Sequence, residues 1–175
     1  MKMLAIAGSL RAQSSNAALV QAISQLAPES TTFKIYTDLA SLPPFSPDID
    51  TEASPQPVID LRTQIDSADA VLICTPEYAY GMPGVLKNML DWPVSSGSLY
   101  KKSVAAISAS PSGRGGDRAL EWLLQTLMAL GAKVPAEASF LVPFVKEKVE
   151  NQQIIDERIA NRVHAMFAAL TQAME

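Results

Sequence analysis

A short segment near the middle of the chain combines aromatic side chains with residues that restrict the backbone. It reads Pro76-Glu77-Tyr78-Ala79-Tyr80-Gly81. The segment contains two tyrosines and one carboxylate, but it has no residue suited to nucleophilic attack. This composition favours holding a flat ligand over attacking one. Packing of the two tyrosines against a neighbouring subunit explains them equally well.

A hydroxyl-rich loop after the apolar run 2–7 carries groups that bind phosphate. Its candidate residues are Ser9, Arg11, Ser14, Ser15 and Asn16. A helix is predicted to begin here with Ser14 or Ser15 as its N-cap, and the free N–H groups and dipole of a helix start favour an anion. Arg11 adds a planar, permanently charged donor. The chain lacks both common nucleotide-binding glycine motifs, so the loop suits one terminal phosphate. An ordinary capped turn with a solvated Arg11 is the alternative.

A third loop, rich in glycine, follows the apolar run 104–108. Its candidate residues are Ser110, Gly113, Arg114, Gly115 and Gly116. Because glycine has no Cβ, its backbone can approach a ligand closely. A flexible turn without a ligand is the competing interpretation.

Apolar runs of strand length alternate with helical periodicity along the chain. Strands are predicted over 2–7, 32–36, 70–74, 104–108 and 133–142. Helices are predicted from apolar positions over 18–26, 58–67, 85–91, 117–131 and 154–170. This alternation predicts an α/β fold, a doubly wound five-stranded parallel sheet in the flavodoxin-like order 2-1-3-4-5 with helices on both faces. In that order the three loops share one edge of the sheet, where a mononucleotide with a flat ring system would fit all of them.

Composition and charge restrict the class of protein. A chain of 175 residues without an evident linker predicts one domain spanning 1–175. The net charge of −4 argues against a nucleic-acid-binding surface. One cysteine excludes an internal disulfide, which fits a reducing compartment. The apolar start is too short for a signal peptide or a membrane span. We therefore expect a cytoplasmic protein without a membrane partner. Three carboxylates, Asp48, Asp50 and Glu52, are better explained by a solvated loop than by a metal site.

Several remaining residues are better explained by packing than by chemistry. Cys74 lies inside a strand pattern and is expected to be a buried small hydrophobe. Trp92 is expected to pack at a helix end, and Lys87 and Asp91 have the spacing of a helical ion pair. The only histidine, His164, is expected on the surface of the last helix.

Two segments resemble the signatures of NADPH-dependent FMN reductases, a family that includes quinone, azo-dye and chromate reductases. They read Gly8-Ser9-Leu10-Arg11-x-x-Ser14-x-Asn16 and Pro76-Glu77-Tyr78-x-Tyr80-Gly81-x-Pro83-Gly84-x-Leu86-Lys87-Asn88-x-x-Asp91-Trp92. The resemblance implies a flavodoxin-like fold that holds the FMN phosphate with Ser9, Arg11, Ser14, Ser15 and Asn16. The loop Pro76–Gly81 would line the isoalloxazine, mainly through main-chain N–H groups. The other flavin edge would be closed by Ser110, Gly113, Arg114, Gly115 and Gly116.

The same resemblance implies the reaction and the assembly. Hydride would pass from NADPH, or NADH, to N5 of the flavin and then to a flavin, quinone, azo or metal-oxyanion acceptor. No catalytic side chain is expected, because the cofactor supplies the chemistry. Arg114 or Arg118 would assist the extra phosphate of NADPH. Similar proteins are homodimers or homotetramers with flavin sites close to the subunit contact.

One position departs from the family pattern, and two other functions are compatible with the residues. The family often has asparagine where this chain has Ala79. Loss of the amide at this position can change flavin affinity or substrate preference.

A flavodoxin-type electron carrier has the same fold and cofactor, but Arg11 and the segment Pro76–Gly81 favour the reductase. A non-catalytic flavin-binding regulatory module is the other alternative, and Ala79 is its best support.

Overall fold

A parallel sheet of five strands forms the centre of the protein, for which a computed structural model describes residues 1–11 and 13–174. Its strands are β1 (Lys2–Ala7), β2 (Thr32–Tyr36), β3 (Ala70–Thr75), β4 (Ser103–Ser110) and β5 (Ser139–Pro143). The order across the sheet is β2-β1-β3-β4-β5, and every neighbouring pair is parallel. The predicted flavodoxin-like sheet is therefore confirmed.

Helices cover both faces of this sheet. They are α1 (Ser15–Gln25), α2 (Gln56–Ser67), α3 (Gly84–Asp91), α4 (Pro93–Ser96), α5 (Asp117–Ala129) and α6 (Glu157–Gln172). Leu4 and Ile6 of β1 face the layer formed by α2, α3 and α5, whereas Met3 and Ala5 face α1 and α6. All six residues of β3 are buried. Its uninterrupted apolar sequence follows from this double cover.

The C-terminal third differs from the sequence prediction in two places. The fifth strand is shorter than predicted. Lys133 forms an isolated parallel bridge with Ser103 of β4, but Pro135 is followed by a 3-10 turn, Ala136–Ala138, and the continuous strand begins only at Ser139. The last helix starts later than predicted, at Glu157, where Asp156 Oδ1 accepts a hydrogen bond from the Ile159 N–H at 3.1 Å.

A small antiparallel hairpin precedes that helix and was not predicted. It consists of β6 (Val149–Glu150) and β7 (Gln153–Ile154). Its turn places Asn151 and Gln152 at φ of 48° and 60°. A two-residue connection with positive φ at both positions matches the twist of paired strands, although no glycine marks it in the sequence.

The proline-rich segment 38–57 is held against the end of α3 by one arginine. Arg62 Nη2 donates to Asp50 Oδ1 at 2.7 Å and to Ser95 Oγ at 2.9 Å, and Arg62 Nε donates to the Trp92 carbonyl at 3.2 Å. Hydrogen bonding to Ser95 and to Arg62 lowers the pKa of Asp50. Asp50 therefore has a structural partner, and within residues 1–11 and 13–174 no cluster of histidine, cysteine or acidic residues could hold a metal ion.

The minor structural expectations are confirmed. Trp92 is fully buried at the end of α3, and its indole N–H donates to the Pro43 carbonyl at 3.1 Å. Cys74 is buried, Lys87 pairs with Asp91, and His164 is exposed on α6.

Candidate functional site

The loops that follow β1, β3 and β4 meet in one pocket at the carboxyl edge of the sheet. Its lining residues are Ser9, Arg11, Gln13, Ser14, Ser15, Asn16, Pro76, Glu77, Tyr78, Ala109, Ser110, Pro111 and Lys146. The pocket unites the predicted polar loop with the start of the aromatic segment and with Ser110. The other predicted residues, Ala79, Tyr80, Gly81, Gly113, Arg114, Gly115 and Gly116, are not among the residues that line it.

The polar end of the pocket is the N-terminus of α1. Ser14 is the N-cap, and its hydroxyl accepts a hydrogen bond from the Ala17 N–H at 3.3 Å. Ser9 Oγ accepts from the Arg11 N–H at 3.3 Å, which shapes the loop before the helix. Arg11 is exposed at the pocket wall. A helix start with hydroxyl groups and a guanidinium beside it suits a phosphate monoester.

Asn16, in the first turn of α1, uses both ends of its side-chain amide inside the protein. Its Nδ2 donates to the Ala109 carbonyl at 3.1 Å, and its Oδ1 accepts from Cys74 Sγ at 3.0 Å. These bonds connect the start of α1 to β4 and β3. Burial raises the pKa of the Cys74 thiol, so the thiol stays protonated and able to donate.

The aromatic segment forms a tight two-residue hairpin at the other end of the pocket. The Tyr78 N–H donates to the Gly81 carbonyl at 2.9 Å, and the Gly81 N–H donates to the Tyr78 carbonyl at 3.0 Å. Ala79 and Tyr80 between them have φ of 49° and 63°. A turn of this kind prefers asparagine followed by glycine, because both central residues are left-handed. The structure thus gives a conformational reason for the asparagine that the family pattern has at Ala79.

The two tyrosines of this hairpin are open to solvent. Tyr78 is 47% exposed and Tyr80 is 68% exposed. Tyr78 lines the pocket, whereas Tyr80 is not among its lining residues. Both remain candidates for contact with a flat ligand or with a second subunit.

Glu77 contributes its side chain to the fold rather than to the pocket floor. Its Oε2 accepts hydrogen bonds from the Arg118 N–H at 2.9 Å and the Ala119 N–H at 3.1 Å. The carboxylate therefore caps the start of α5 and complements the helix dipole there. This contact fixes the hairpin relative to the glycine loop that leads into α5.

The glycines after β4 are required by packing within the protein. Gly115 and Gly116 are buried and have φ of 68° and 81°. A Cβ on Gly116 would collide with the Ser108 hydroxyl, and one on Gly115 would lie 3.1 Å from the Pro143 nitrogen. Their conformation brings β4 and α5 together at the site, and this explains the glycines without invoking a ligand.

The two arginines near this loop are engaged in ion pairs at the surface. Arg114 Nη2 lies 2.9 Å from Asp117 Oδ2, and Arg118 Nη1 lies 2.9 Å from Glu121 Oε2. The hydrogen bond from Arg114 lowers the pKa of Asp117. All four side chains are substantially exposed, and exposed pairs exchange partners at little cost.

Two polar residues of the pocket were missed by the sequence analysis. Gln13 lies in the predicted loop but carries no pattern that separates it from its neighbours. Lys146 belongs to the 3-10 turn Val145–Glu147 after β5 and adds a second cationic side chain to the lining. Because β5 is the neighbour of β4, the rule that ligands bind beyond the carboxyl ends of strands could have found it.

The donors of the pocket fit FMN. A phosphate suits the start of α1, and Pro76, Glu77 and Tyr78 of the aromatic segment line the same pocket. The sequence profile of NADPH-dependent FMN reductases matches residues 1–147. The chain belongs to this family. Its predicted classification as a flavin-dependent NAD(P)H oxidoreductase is thereby confirmed.

Individual relatives agree with this assignment. The chain is 30% identical over 180 residues to a quinone reductase of Escherichia coli, covering 100% of this chain and 96% of that protein. It is 32% identical over 172 residues to an NAD(P)H-dependent FMN reductase of Pseudomonas aeruginosa, covering 97% and 92%. Among solved structures, the flavoenzyme NAD(P)H:(acceptor) oxidoreductase FerB of Paracoccus denitrificans superposes with a TM-score of 0.84 at 27% identity, covering 99% and 96%.

Over residues 1–11 and 13–174, no helix is both long enough and apolar enough to span a membrane.

Proposed function

We propose that residues 1–175 form a single flavin-binding domain that uses NADPH to reduce quinones through FMN, with flavins, azo compounds and metal oxyanions as further acceptors. The observation that carries this proposal is the single pocket shared by the phosphate-type loop at α1 and the aromatic hairpin after β3. Quinone reduction is favoured among the acceptors because relatives of near-complete coverage bear that name.

The phosphate of FMN would be held at the start of α1. The N–H groups of the first turn, the Ser9 and Ser15 hydroxyls and the Arg11 guanidinium are the donors available there. Lys146 adds a second positive charge to the pocket lining. A doubly charged phosphate monoester matches this donor set, because charge-assisted hydrogen bonds are the strongest available to it.

The ring would lie along Pro76–Gly81. Bound FMN supplies hydride transfer from the nicotinamide to the acceptor. The residues of this chain would bind and orient the ring through the main chain of the hairpin, and Ser110 lines the same pocket.

NADPH would approach over the start of α5. Arg114 and Arg118 are more than half exposed, and each can exchange its surface carboxylate for the extra phosphate of NADPH. We place the protein in the cytoplasm, where the lone thiol of Cys74 stays reduced.

We further propose that two copies assemble through the face formed by α4 and α5. Large apolar side chains are exposed on this face: Val94 (60%), Tyr100 (63%) and Trp122 (58%). A patch of this kind on a monomer marks an interaction site. Because α5 begins at the glycine loop, a second copy on this face would lie near the flavin site.

Sedimentation velocity tests the assembly. The wild-type protein should sediment as a dimer or tetramer. The Trp122→Asp variant should sediment as a smaller assembly, because a buried carboxylate would destabilise the contact. Trp122→Phe is the matched control, because it keeps an apolar ring at the same position. Equal masses for the wild type and Trp122→Asp would overturn this choice of face.

Anaerobic absorbance spectroscopy tests the function. The FMN-loaded protein should lose its visible flavin absorbance on addition of NADPH and regain it on addition of a quinone. A bound flavin that NADPH leaves oxidised would indicate an electron carrier instead. Failure to bind FMN at all would overturn the proposal.

A further inference from the structure

The start of α1 is connected to the sheet by one buried amide. Asn16 is only 3% exposed, and its side chain reaches both strands whose loops complete the pocket. The partner on β4 is the Ala109 carbonyl and the partner on β3 is the Cys74 thiol. Cys74 and Ala109 are both fully buried, so water does not replace either contact.

The chemistry of the partners fixes the orientation of this amide. The Ala109 carbonyl can only accept, so it requires the NH2 group of Asn16. The carbonyl of Asn16 then faces the thiol of Cys74, which can donate. A flipped amide would bring two carbonyl oxygens together, so the side chain has one favourable arrangement.

This arrangement leaves the side chain of Asn16 engaged before any ligand arrives. The Nδ2 group of Asn16 has two N–H bonds, and the Ala109 carbonyl accepts one of them, while the carbonyl end of the amide accepts from the Cys74 thiol. These two contacts hold the main-chain N–H groups around Asn16 in place relative to the strands beneath the helix. Preorganised donors bind an anion more tightly than mobile ones because less ordering accompanies binding.

We propose that Asn16, together with Cys74, is a positioning pair that preorganises the start of α1 for the FMN phosphate and so determines selectivity for FMN over riboflavin. The inference rests on the proposed binding of FMN. It assigns Asn16 a role in the free protein, distinct from that of a direct phosphate ligand.

Comparison of two flavins isolates the phosphate end of the site. Dissociation constants of FMN and riboflavin are measured by fluorescence quenching for the wild type, Asn16→Ala, Cys74→Ala and Cys74→Ser. For Asn16→Ala, FMN affinity should fall by about tenfold or more, the effect of one lost buried hydrogen-bonded group, with little change for riboflavin. Cys74→Ala should lose FMN affinity by a smaller factor, and Cys74→Ser, which keeps a donor, should restore it.

Asn88 provides a matched control because it is also an amide that connects two segments. Its Oδ1 accepts from the Phe45 N–H at 2.7 Å and its Nδ2 donates to the Pro43 carbonyl at 2.9 Å, away from the pocket. Asn88→Ala should lower the melting temperature and leave the ratio of FMN to riboflavin affinity unchanged. A loss of stability alone therefore cannot produce the expected result.

Hydrogen exchange of the flavin-free protein separates positioning from direct contact. Amides in the first turn of α1 should exchange faster in Asn16→Ala and in Cys74→Ala than in the wild type. A different result would overturn the inference: amide exchange in the first turn of α1 stays unchanged in both variants, and only Asn16→Ala weakens FMN binding. Asn16 would then be a direct ligand of the phosphate. An unchanged affinity ratio would overturn the inference as well, whereas a wild type that binds neither flavin would contradict the proposed function itself.

Discussion

The two ends of the pocket are built on different principles: the end at the start of α1, proposed for the FMN phosphate (the phosphate end), and the end at the hairpin Pro76–Gly81, proposed for the flavin ring (the ring end). At the phosphate end, the start of α1 is capped by Ser14 and connected to β3 and β4 through the buried side chain of Asn16. At the ring end, Ala79 and Tyr80 occupy left-handed conformations on an exposed hairpin. Non-glycine residues in that conformation raise the free energy of the fold by about 1–2 kcal/mol each.

The rigid support at one end and the exposed hairpin at the other match the different groups that the two ends would bind. A phosphate group has constant shape and charge, and a rigid set of donors suits it. The ring end would receive a nicotinamide and then acceptors of varied shape, and exposed side chains on a short hairpin can adapt to them. Glu77, two residues after β3, connects the ring end to α5 by capping the start of that helix.

The largest effect should come from the support of the ring end. Arg62→Ala removes the buried hydrogen bonds that hold Asp50 against the end of α3, the helix that follows the hairpin. Unfolding free energy should fall by about 3 kcal/mol, because a partly buried carboxylate loses its cation. Chemical denaturation measures this loss, with Lys87→Ala as the control because the Lys87 ion pair is largely exposed.

The same interaction predicts a pH dependence. The pKa of Asp50 is lowered by Ser95 and Arg62, so its stabilising contribution is present above its unfolded value of about 3.9 and is lost as the pH falls through the lower folded value. Wild-type stability should therefore decline on acidification below about pH 4. Asp50→Asn should show a shallower decline in the same denaturation series, and an identical slope would contradict this account of Asp50.

The next largest effect is a loss of FMN affinity at the phosphate end. Arg11→Ala should weaken FMN binding by about 10- to 100-fold, the range expected for a charged hydrogen bond, while riboflavin affinity changes little. Fluorescence titration measures both constants. Arg158→Ala is the control, because that side chain is 87% exposed on α6. Equal losses for the two flavins would mean that Arg11 does not meet the phosphate.

A smaller loss of stability is expected where Glu77 connects the hairpin to α5. Glu77→Ala removes the cap of α5 and should lower the free energy of unfolding by about 1 kcal/mol. Glu77→Gln keeps an acceptor and should lose less. Thermal unfolding with Glu121→Gln as a surface control measures these differences, and a Glu77→Ala variant as stable as the wild type would rule out the capping role.

The smallest effect is a gain. Ala79→Asn should stabilise the hairpin by about 0.5–1 kcal/mol, because asparagine tolerates the left-handed conformation better than alanine. The melting temperature should rise by about 1–4 °C. Ala168→Asn, at an exposed position within α6, should give no such gain because asparagine is a poorer helix former. A destabilised Ala79→Asn protein would argue against strain at this turn.

The sheet and the location of the site were predictable from the sequence because both depend on local patterns. Apolar runs alternate with helical spacing, and the order of the strands then brings three loops to one edge. The role of Glu77 was not predictable, because its contact with the Ala119 N–H spans 42 residues. The engagement of Asn16 with Cys74 across 58 residues is hidden for the same reason. The hairpin at Asn151 was missed because its turn lacks the usual glycine.

A crystal structure of the FMN complex tests the central claim most directly. The account predicts the phosphate within hydrogen-bond distance of the first-turn N–H groups of α1 and of Arg11, with the ring edge along Pro76–Gly81. Asn16 should keep its contacts with Ala109 and Cys74 in that complex. A phosphate at the start of α5 with Glu77 displaced, or a ring bound on the Trp122 face, would contradict the account.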